Sequence, residues 1–201
     1  MTKRLTAVLT LSLALITSAC GSSMKNPDIK QNPNPVKRYE VTMTIDGAPG
    51  PFDSVDGFMG FDVKNDACVP LTKFSGARLP PEKSVPFVLR QISGNVYRGV
   101  IYMDLLQDED YYGLGVCHWS LTSVGAVLTK AKVGFTLSLS QGDLEAHKPA
   151  TNYFTIASYN DPKMQGGDTG TVRTEYVSQH PNEFFSVEID AKEVSSGSSL
   201  N

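Results

Sequence analysis

The sequence predicts an all-β protein: a single antiparallel β-sandwich, or barrel-like, domain of about eight strands with one disulfide. Three observations support this prediction. The apolar residues alternate with a period of two, glycine and proline separate the alternating runs, and two cysteines are available for pairing. No long window has the period of an amphipathic helix, and the segment "DLEAHK" at 143–148 has the composition for one helical turn only.

The clearest alternation opens the predicted domain. Tyr39, Val41, Met43 and Ile45 alternate with polar residues, so in a strand they share one face. The same pattern recurs in two later segments, and further strand candidates are shorter. These segments lie at 135–139 and 185–189, and the shorter candidates at 58–63, 115–121 and 152–157.

A hairpin is predicted over residues 85–106. Two apolar, β-branched runs flank Ser93, Gly94 and Asn95, which are residues that favour a tight turn. We therefore expect one strand before this turn and one after it, paired antiparallel.

Composition limits the class of protein and of partner. The chain has 201 residues, is 40% hydrophobic and 19% charged, and carries a net charge of −3. That length is enough for one domain with a sizeable core. The charge is small and mixed, with no stripe of lysine and arginine, so nucleic acid is not an expected partner.

The N-terminus has the pattern of an export signal. Lys3 and Arg4 precede an apolar run at 5–16, and small residues lead to Cys20. This arrangement resembles the lipobox of bacterial lipoproteins, which implies cleavage before Cys20 and acylation of its thiol. Gly21 stands where inner-membrane lipoproteins of the enteric type carry aspartate, which implies an anchor in the outer membrane, facing the periplasm.

These features predict the domain organisation. Residues 1–19 form the signal peptide, and residues 20–38 form the lipidated cysteine and a flexible tether rich in Ser, Asn, Pro and Lys. Residues 39–194 form the β-sandwich, and residues 195–201 form a disordered tail.

The two remaining cysteines, Cys68 and Cys117, predict a disulfide, because an even pair in an oxidising compartment is normally joined. Two buried free thiols are the alternative. In a strand, Cys117 and Trp119 share a face. Since a disulfide beside a buried tryptophan joins the two sheets of immunoglobulin-like sandwiches, we expect the same connection here.

The loop "QDEDYYGLGVCHW" at 107–119 is the strongest candidate for a partner-binding surface. Asp108, Glu109 and Asp110 would steer a partner, and Tyr111 and Tyr112 would supply rigid contact area. A solvated loop tip is the alternative. The acids lack the spacing of a calcium loop, so no metal site is expected.

No catalytic pattern occurs in the sequence. His118, His147 and His180 lie outside any H-E-x-x-H arrangement, and neither a G-x-S-x-G elbow nor a glycine-rich phosphate loop that leads into a helix is present. We therefore expect no enzymatic activity, no catalytic residue, no cofactor and no small-molecule substrate.

Ser93 and Tyr97 belong to the segment Ser93-Gly94-Asn95-Val96-Tyr97. It resembles the S-G-x-x-Y motif of the periplasmic and membrane-bound inhibitors of C-type lysozyme. The resemblance implies that Ser93 and Tyr97 enter the cleft of a partner enzyme. A hairpin turn with no further role is the alternative.

The whole mature chain resembles the lipoprotein immunity proteins that protect bacteria against effectors of contact-dependent secretion systems. It is an acylated, disulfide-bonded, all-β domain without catalytic motifs. The resemblance implies an inhibitor that binds and neutralises a toxin enzyme, a lipase or a muramidase. The alternative from another class is a scaffold lipoprotein of an envelope or secretion complex.

Overall fold

Two five-stranded sheets stack face to face in the computed structural model, which describes residues 27–194. The first sheet has the order β4-β5-β1-β10-β8, and the second has the order β3-β2-β6-β7-β9. The all-β sandwich is confirmed. The strands are β1 Arg38–Asp46, β2 Ser54–Val63, β3 Glu82–Phe87, β4 Arg90–Ser93, β5 Val96–Tyr102, β6 Trp119–Lys130, β7 Val133–Ser140, β8 Ala150–Thr155, β9 Gly166–Asp168 and β10 Phe184–Glu193.

Antiparallel pairing connects all neighbouring strands except β7 and β9, which are parallel. Within residues 27–194, three one-turn α-helices lie in the connections between strands: α1 Gln141–Glu145, α2 Ile156–Asn160 and α3 Glu175–Gln179. The first lies in the segment for which one turn was predicted. Its N-terminus is fixed by a capping box between Ser140 and Asp143. Among residues 27–194, no helix has the length and apolar character needed to cross a membrane.

The core lies between the sheets and follows the alternation read from the sequence. Tyr39, Val41, Met43 and Ile45 of β1 are buried, while the residues between them face outward. Phe135, Phe154 and Phe185 pack together with ring centroids 5.4 to 5.5 Å apart. Each fully buried side chain of this size contributes about 1.5 to 3 kcal/mol, which makes the inter-sheet layer the main source of stability.

The predicted hairpin differs from the structure in its first arm. The turn is where it was expected, with β4 and β5 paired antiparallel around it. Residues 82–93, however, form two strands in different sheets, because the chain crosses from the second sheet to the first at Val88 and Leu89. The ring of Phe87 packs where two glycines, Gly57 and Gly99, leave room for it. A β-carbon at either glycine would lie 2.7 to 2.8 Å from that ring.

The predicted disulfide is confirmed, but the expectation that it joins the two sheets is wrong. Cys68 follows β2 and Cys117 precedes β6, and these strands are neighbours in the second sheet, with Val63 opposite Trp119. The bond therefore links two loops at one end of a single sheet. Both cysteines are buried in a small cluster of their own, and Trp119 is only partly buried against it.

The N-terminal segment lies against the domain over part of the predicted tether. The backbone N–H of Asn32 donates to Leu105 O at 2.7 Å, and that of Gln107 donates to Lys30 O at 3.0 Å. Asp104 accepts hydrogen bonds from the backbone N–H groups of Val36 and Lys37. Composition alone predicted a free segment up to residue 38, whereas these acceptors hold residues 30–37 in place. The predicted signal peptide, Cys20 and the tail at 195–201 lie outside the described residues.

Candidate functional site

The two predicted binding segments lie at opposite ends of the sandwich. The strand β5 begins beside the turn at Gly94 and Asn95 and ends at Tyr102, which leads into the acidic loop. Seven residues of strand span roughly 20 Å. The structure therefore does not bring Ser93 and Tyr97 together with residues 108–112.

Asp108 is used within the acidic loop itself. Its Oδ1 accepts a hydrogen bond from the backbone N–H of Trp119 at 2.9 Å, and its Oδ2 lies 2.7 Å from Nδ1 of His118. Both partners lie at the start of β6. The carboxylate therefore fixes the loop to the sheet, which is a structural role.

Glu109 and Asp110 also have partners within the molecule. Oε1 of Glu109 pairs with Nζ of Lys30 at 2.7 Å, and this hydrogen bond raises the pKa of the lysine. The carbonyl of Glu109 accepts a hydrogen bond from the N–H of Cys117 at 3.0 Å, and Oδ1 of Asp110 accepts one from the N–H of Leu114. The three acids point to different partners, and within residues 27–194 no three metal-ligating side chains gather at one point.

The two tyrosines of the loop pack inward against its own residues. The hydroxyl of Tyr111 donates to Gln107 O at 2.6 Å, and its ring meets Trp119 edge to face with centroids 6.4 Å apart. Tyr112 is half-buried beside the disulfide, and burial raises the pKa of its hydroxyl. Within the described chain, Oε2 of Glu109 and Nε1 of Trp119 are buried without a hydrogen-bond partner. These two atoms face the protein, whereas the carboxylates of Asp108 and Asp110 are exposed and accept hydrogen bonds from the backbone of Trp119 and Leu114.

The histidines do not form a common site. His118 pairs with Asp108, and His180 stacks on Tyr176 with ring centroids 4.1 Å apart. His147 follows α1 in a left-handed conformation with φ +49°. Each contributes to local structure at a different place in the chain.

The turn of the β4–β5 hairpin is held by the side chain of Gln91, which donates from Nε2 to Gly94 O, and by the end of β1. Asn95 donates from Nδ2 to Ile45 O at 2.6 Å and accepts at its carbonyl from the N–H of Ile45, which fixes the turn to the end of β1. Ser93 is exposed, and Tyr97 is half-buried at the rim of a cleft. This cleft, of about 470 Å³, lies between the turn and residues 45–52.

The outer face of the same hairpin carries a second concavity, which we call the β4–β5 face. Val88 is 67% exposed and Ile92 is 50% exposed. They share a hollow of about 560 Å³ with residues of β1 and β5, and its lining is Glu40, Val88, Arg90, Ile92, Arg98, Gly99 and Val100. Apolar and basic side chains are therefore mixed on one exposed surface.

The charges of the β4–β5 face are only partly neutralised. Nε of Arg98 lies 3.2 Å from Oε1 of Glu40 as an ion pair, but the angle is unsuitable for a hydrogen bond, and Nε is buried without a hydrogen-bond partner in the described chain. The side chain of Arg90 is exposed and makes no ion pair or side-chain hydrogen bond among residues 27–194. A carboxylate from a partner can therefore meet a guanidinium on this face.

The sequence carries an indication of this face that its alternation alone does not reveal. In "VPFVLRQIS", apolar residues occupy positions on both faces of the predicted strand. Phe87 and Leu89 turn toward the core, while Val88 and Ile92 remain exposed. Apolar residues that are grouped on one exposed surface, rather than scattered singly, indicate an interaction surface.

Comparison with protein-family models, with curated proteins and with solved structures finds no match for this chain.

Proposed function

We propose that this protein is an exported, lipid-anchored binding protein whose β4–β5 face holds and neutralises a toxin enzyme. The observation that carries the proposal is the exposure of Val88 and Ile92 beside Arg90 and Arg98 on a concave surface. Interfaces combine apolar anchors with arginine, whose planar group pairs with carboxylates. The partner therefore presents apolar side chains together with acidic ones.

The acidic loop has a different role in this proposal. Asp108, Glu109 and Asp110 hold hydrogen bonds that fix the loop and the N-terminal segment. A partner that recruited them would compete with those bonds for the same carboxylate oxygens. Binding is therefore assigned to the β4–β5 face and to the exposed turn with Ser93.

The class of partner follows from the sequence resemblances. The lipobox ending at Cys20 supports export and acylation, and the S-G-x-x-Y segment supports an enzyme as the target. A lipase or a muramidase that reaches the periplasm is the expected ligand. Tyr97 at the rim of the cleft beside the turn would contact that enzyme together with Ser93.

The position of the chain entry fits this role. The N-terminal segment enters along Leu105, Leu106 and Gln107, which lie at the end of the domain opposite the β4–β5 turn. A lipid on Cys20 would hold that end toward the membrane. The turn would then point into the periplasm, where a toxin arrives.

A scaffold function is the second candidate, and one observation favours it. The strand β4 is at the edge of its sheet, and its four residues are exposed. An edge strand has free backbone groups to which an extended segment of an envelope protein can add.

Capture from envelope and secreted fractions tests the proposal. The full chain carries Cys20→Ser so that it is not acylated, and the bound proteins are identified by mass spectrometry. Val88→Ser with Ile92→Ser changes the β4–β5 face, and Val172→Ser is the matched control, because Val172 has the same 67% exposure as Val88 elsewhere on the surface. A third variant carries Asp108→Asn, Glu109→Gln and Asp110→Asn.

We expect a single exported hydrolase to bind the unchanged surface and the Val172 control. The Val88/Ile92 variant loses affinity by about a hundredfold, which corresponds to roughly 2.7 kcal/mol at an interface anchor. Loss of capture by the acid variant alone, with its fold intact by circular dichroism, would move the site to the acidic loop. Capture of resident envelope proteins by all of these variants would support the scaffold function.

A further inference from the structure

A short hairpin at residues 69–79, the Phe74 hairpin, projects from the end of the sandwich that carries the disulfide. Leu71 and Arg78 form its one bridge, and the backbone N–H of Thr72 donates to Ala77 O at 2.8 Å. The N–H of Gly76, which has φ +67°, donates to Thr72 O and closes the turn. Phe74 stands at the tip with its side chain fully exposed.

The base of the Phe74 hairpin is rigid. Cys68 and Val69 are buried, and the disulfide ties this base to Cys117. The guanidinium of Arg78 donates to Ala67 O at 3.1 Å and to Val69 O. The hairpin therefore exposes the ring of Phe74 to solvent on a base that is fixed by the disulfide and by the hydrogen bonds of Arg78.

The composition of this segment is that of a membrane-interface contact. Leu71 and Leu79 are exposed on either side of Phe74. Between Val69 and Pro81 the charged residues are Lys73 and Arg78, and no acid occurs there, although the chain as a whole is acidic. Aromatic and aliphatic side chains with nearby cations bind the boundary between headgroups and acyl chains, where the cations meet anionic lipid.

The Phe74 hairpin lies at the end of the domain where the N-terminal segment enters. Glu109, which pairs with Lys30, also bridges Cys117 through the backbone, and Cys117 is bonded to Cys68 at the hairpin base. Lys30 is ten positions after Cys20. Ten extended residues span about 35 Å at most, so a lipid on Cys20 keeps this end of the domain close to the bilayer.

We propose that the Phe74 hairpin is a second membrane contact, which inserts its tip into the interface of an anionic bilayer beside the Cys20 anchor. This proposal rests on the lipid anchoring included in the proposed function. It gives the domain a fixed orientation, with the disulfide end on the lipid and the β4–β5 turn away from it. The tip is convex and carries no acid, whereas the exposed acids Asp108 and Asp110 lie elsewhere at the same end of the domain, so the lipid contact is confined to the tip of the hairpin.

Fluorescence quenching by brominated lipid tests this orientation. The acylated full chain is reconstituted into vesicles of phosphatidylethanolamine and phosphatidylglycerol, with or without bromine on the acyl chains. Phe74→Trp places a reporter at the tip, and Ile92→Trp places one on the β4–β5 face. The unchanged protein supplies the background of Trp119.

We expect brominated lipid to quench the emission of the Phe74→Trp reporter and to leave that of Ile92→Trp unchanged. Replacing phosphatidylglycerol with phosphatidylcholine reduces the quenching, because the net positive hairpin then loses its attraction to an anionic surface. Equal quenching of both reporters, or of neither, overturns the proposal. So does a Phe74→Trp signal that shifts only when the captured partner protein is added.

The two proposals fail separately in these experiments. Partner capture uses the Cys20→Ser chain in solution and involves no lipid. A chain that does not float with vesicles lacks the anchor, which overturns the membrane contact but leaves the capture result standing. Loss of capture with normal quenching overturns the inhibitor and leaves the membrane contact in place.

Discussion

The acidic loop and the β4–β5 hairpin are both predicted binding segments, and they differ in where their polar groups are used. In the acidic loop, Asp108, Glu109 and Asp110 each have a partner inside the molecule. In the hairpin, Arg90 has none among residues 27–194, and Val88 and Ile92 are open to solvent. The segment with the more conspicuous charges is therefore the less available for binding.

This difference assigns the acidic loop to the stability of the fold and the β4–β5 hairpin to partner recognition. A carboxylate that caps backbone N–H groups contributes to folding, whereas apolar residues grouped on an exposed concave surface are available to a partner. Changes in the acidic loop should therefore lower the free energy of unfolding, and changes on the β4–β5 face should lower partner affinity. The following predictions test that separation.

Removing the disulfide gives the largest expected effect on stability. The sequence separation of 49 between Cys68 and Cys117 predicts a loss of about 4 kcal/mol in the free energy of unfolding for Cys68→Ser with Cys117→Ser. Urea unfolding followed by Trp119 fluorescence measures this loss. Partner capture by the folded double variant should be retained, since the bond lies at the opposite end from the β4–β5 turn.

Gly99→Ala changes the support of the β4–β5 face itself. The new β-carbon would lie 2.7 Å from Val88 O and 2.8 Å from the ring of Phe87, so the crossover between β3 and β4 has to shift. We expect a loss of about 1 to 3 kcal/mol in stability, together with weaker partner capture. Gly94→Ala is the control, because nothing lies within 4 Å of its β-carbon. Equal effects of the two variants would contradict the packing argument.

Asp108→Ala should affect stability alone. It leaves the N–H of Trp119 without its acceptor and removes the contact with His118, so we expect a loss of about 1 to 2 kcal/mol. Glu82→Ala removes a carboxylate from β3 that makes no side-chain hydrogen bond among residues 27–194, and it should be neutral. Urea unfolding of both variants provides the comparison. A normal midpoint with lost capture for Asp108→Ala would reverse the roles assigned to the two segments.

Lys30→Gln should give the smallest effect, visible at alkaline pH. Glu109 raises the pKa of Lys30 in the folded state. The contribution of the pair is therefore complete below about pH 10.4, the ordinary pKa of lysine, and is lost as the pH rises through the higher folded value. The protection factors of the Asn32 and Gln107 amides, which correct the exchange rates for base catalysis, should fall over that range in the unchanged protein.

In the Lys30→Gln variant, the protection factors of those amides should already be lower at neutral pH, with little further decrease on the alkaline side. Lys192→Gln is the control, since Asp190 raises the pKa of Lys192 within the same strand and that pair fixes no separate segment. Exchange that is unaltered by Lys30→Gln would show that the backbone bonds alone hold the N-terminal segment.

The alternation of β1, β7 and β10 predicted the sandwich because one face of each strand is buried and the other is not. The pairing of Cys68 with Cys117 was predictable from their even number together with the export signal expected at the N-terminus. That both cysteine loops belong to the same sheet was not predictable, because strand order depends on long-range packing that the local alternation of residues does not encode. The break between β3 and β4 was missed for the same reason, since it depends on Gly57 and Gly99 in other strands.

The candidate site was predicted only in part. Turn chemistry correctly located the hairpin that carries Ser93 and Tyr97. The charges of residues 108–110 predicted a binding surface. Their role within the fold could not be predicted, because a sequence does not reveal which backbone N–H groups a carboxylate will accept hydrogen bonds from. Trp119 and Leu114 supply those groups. Val88 and Ile92 lie in the strand predicted before the turn, and the sequence did not show that their side chains stay exposed.

The position of β1 has a consequence for mechanical load. This strand follows directly from the N-terminal segment and lies in the middle of its sheet, bonded to β5 on one side and β10 on the other. Because the hydrogen bonds of antiparallel strands are perpendicular to the strand direction, a pull along the N-terminus loads both rows in shear. A force applied through the N-terminus thus meets many bonds at once rather than opening them one by one.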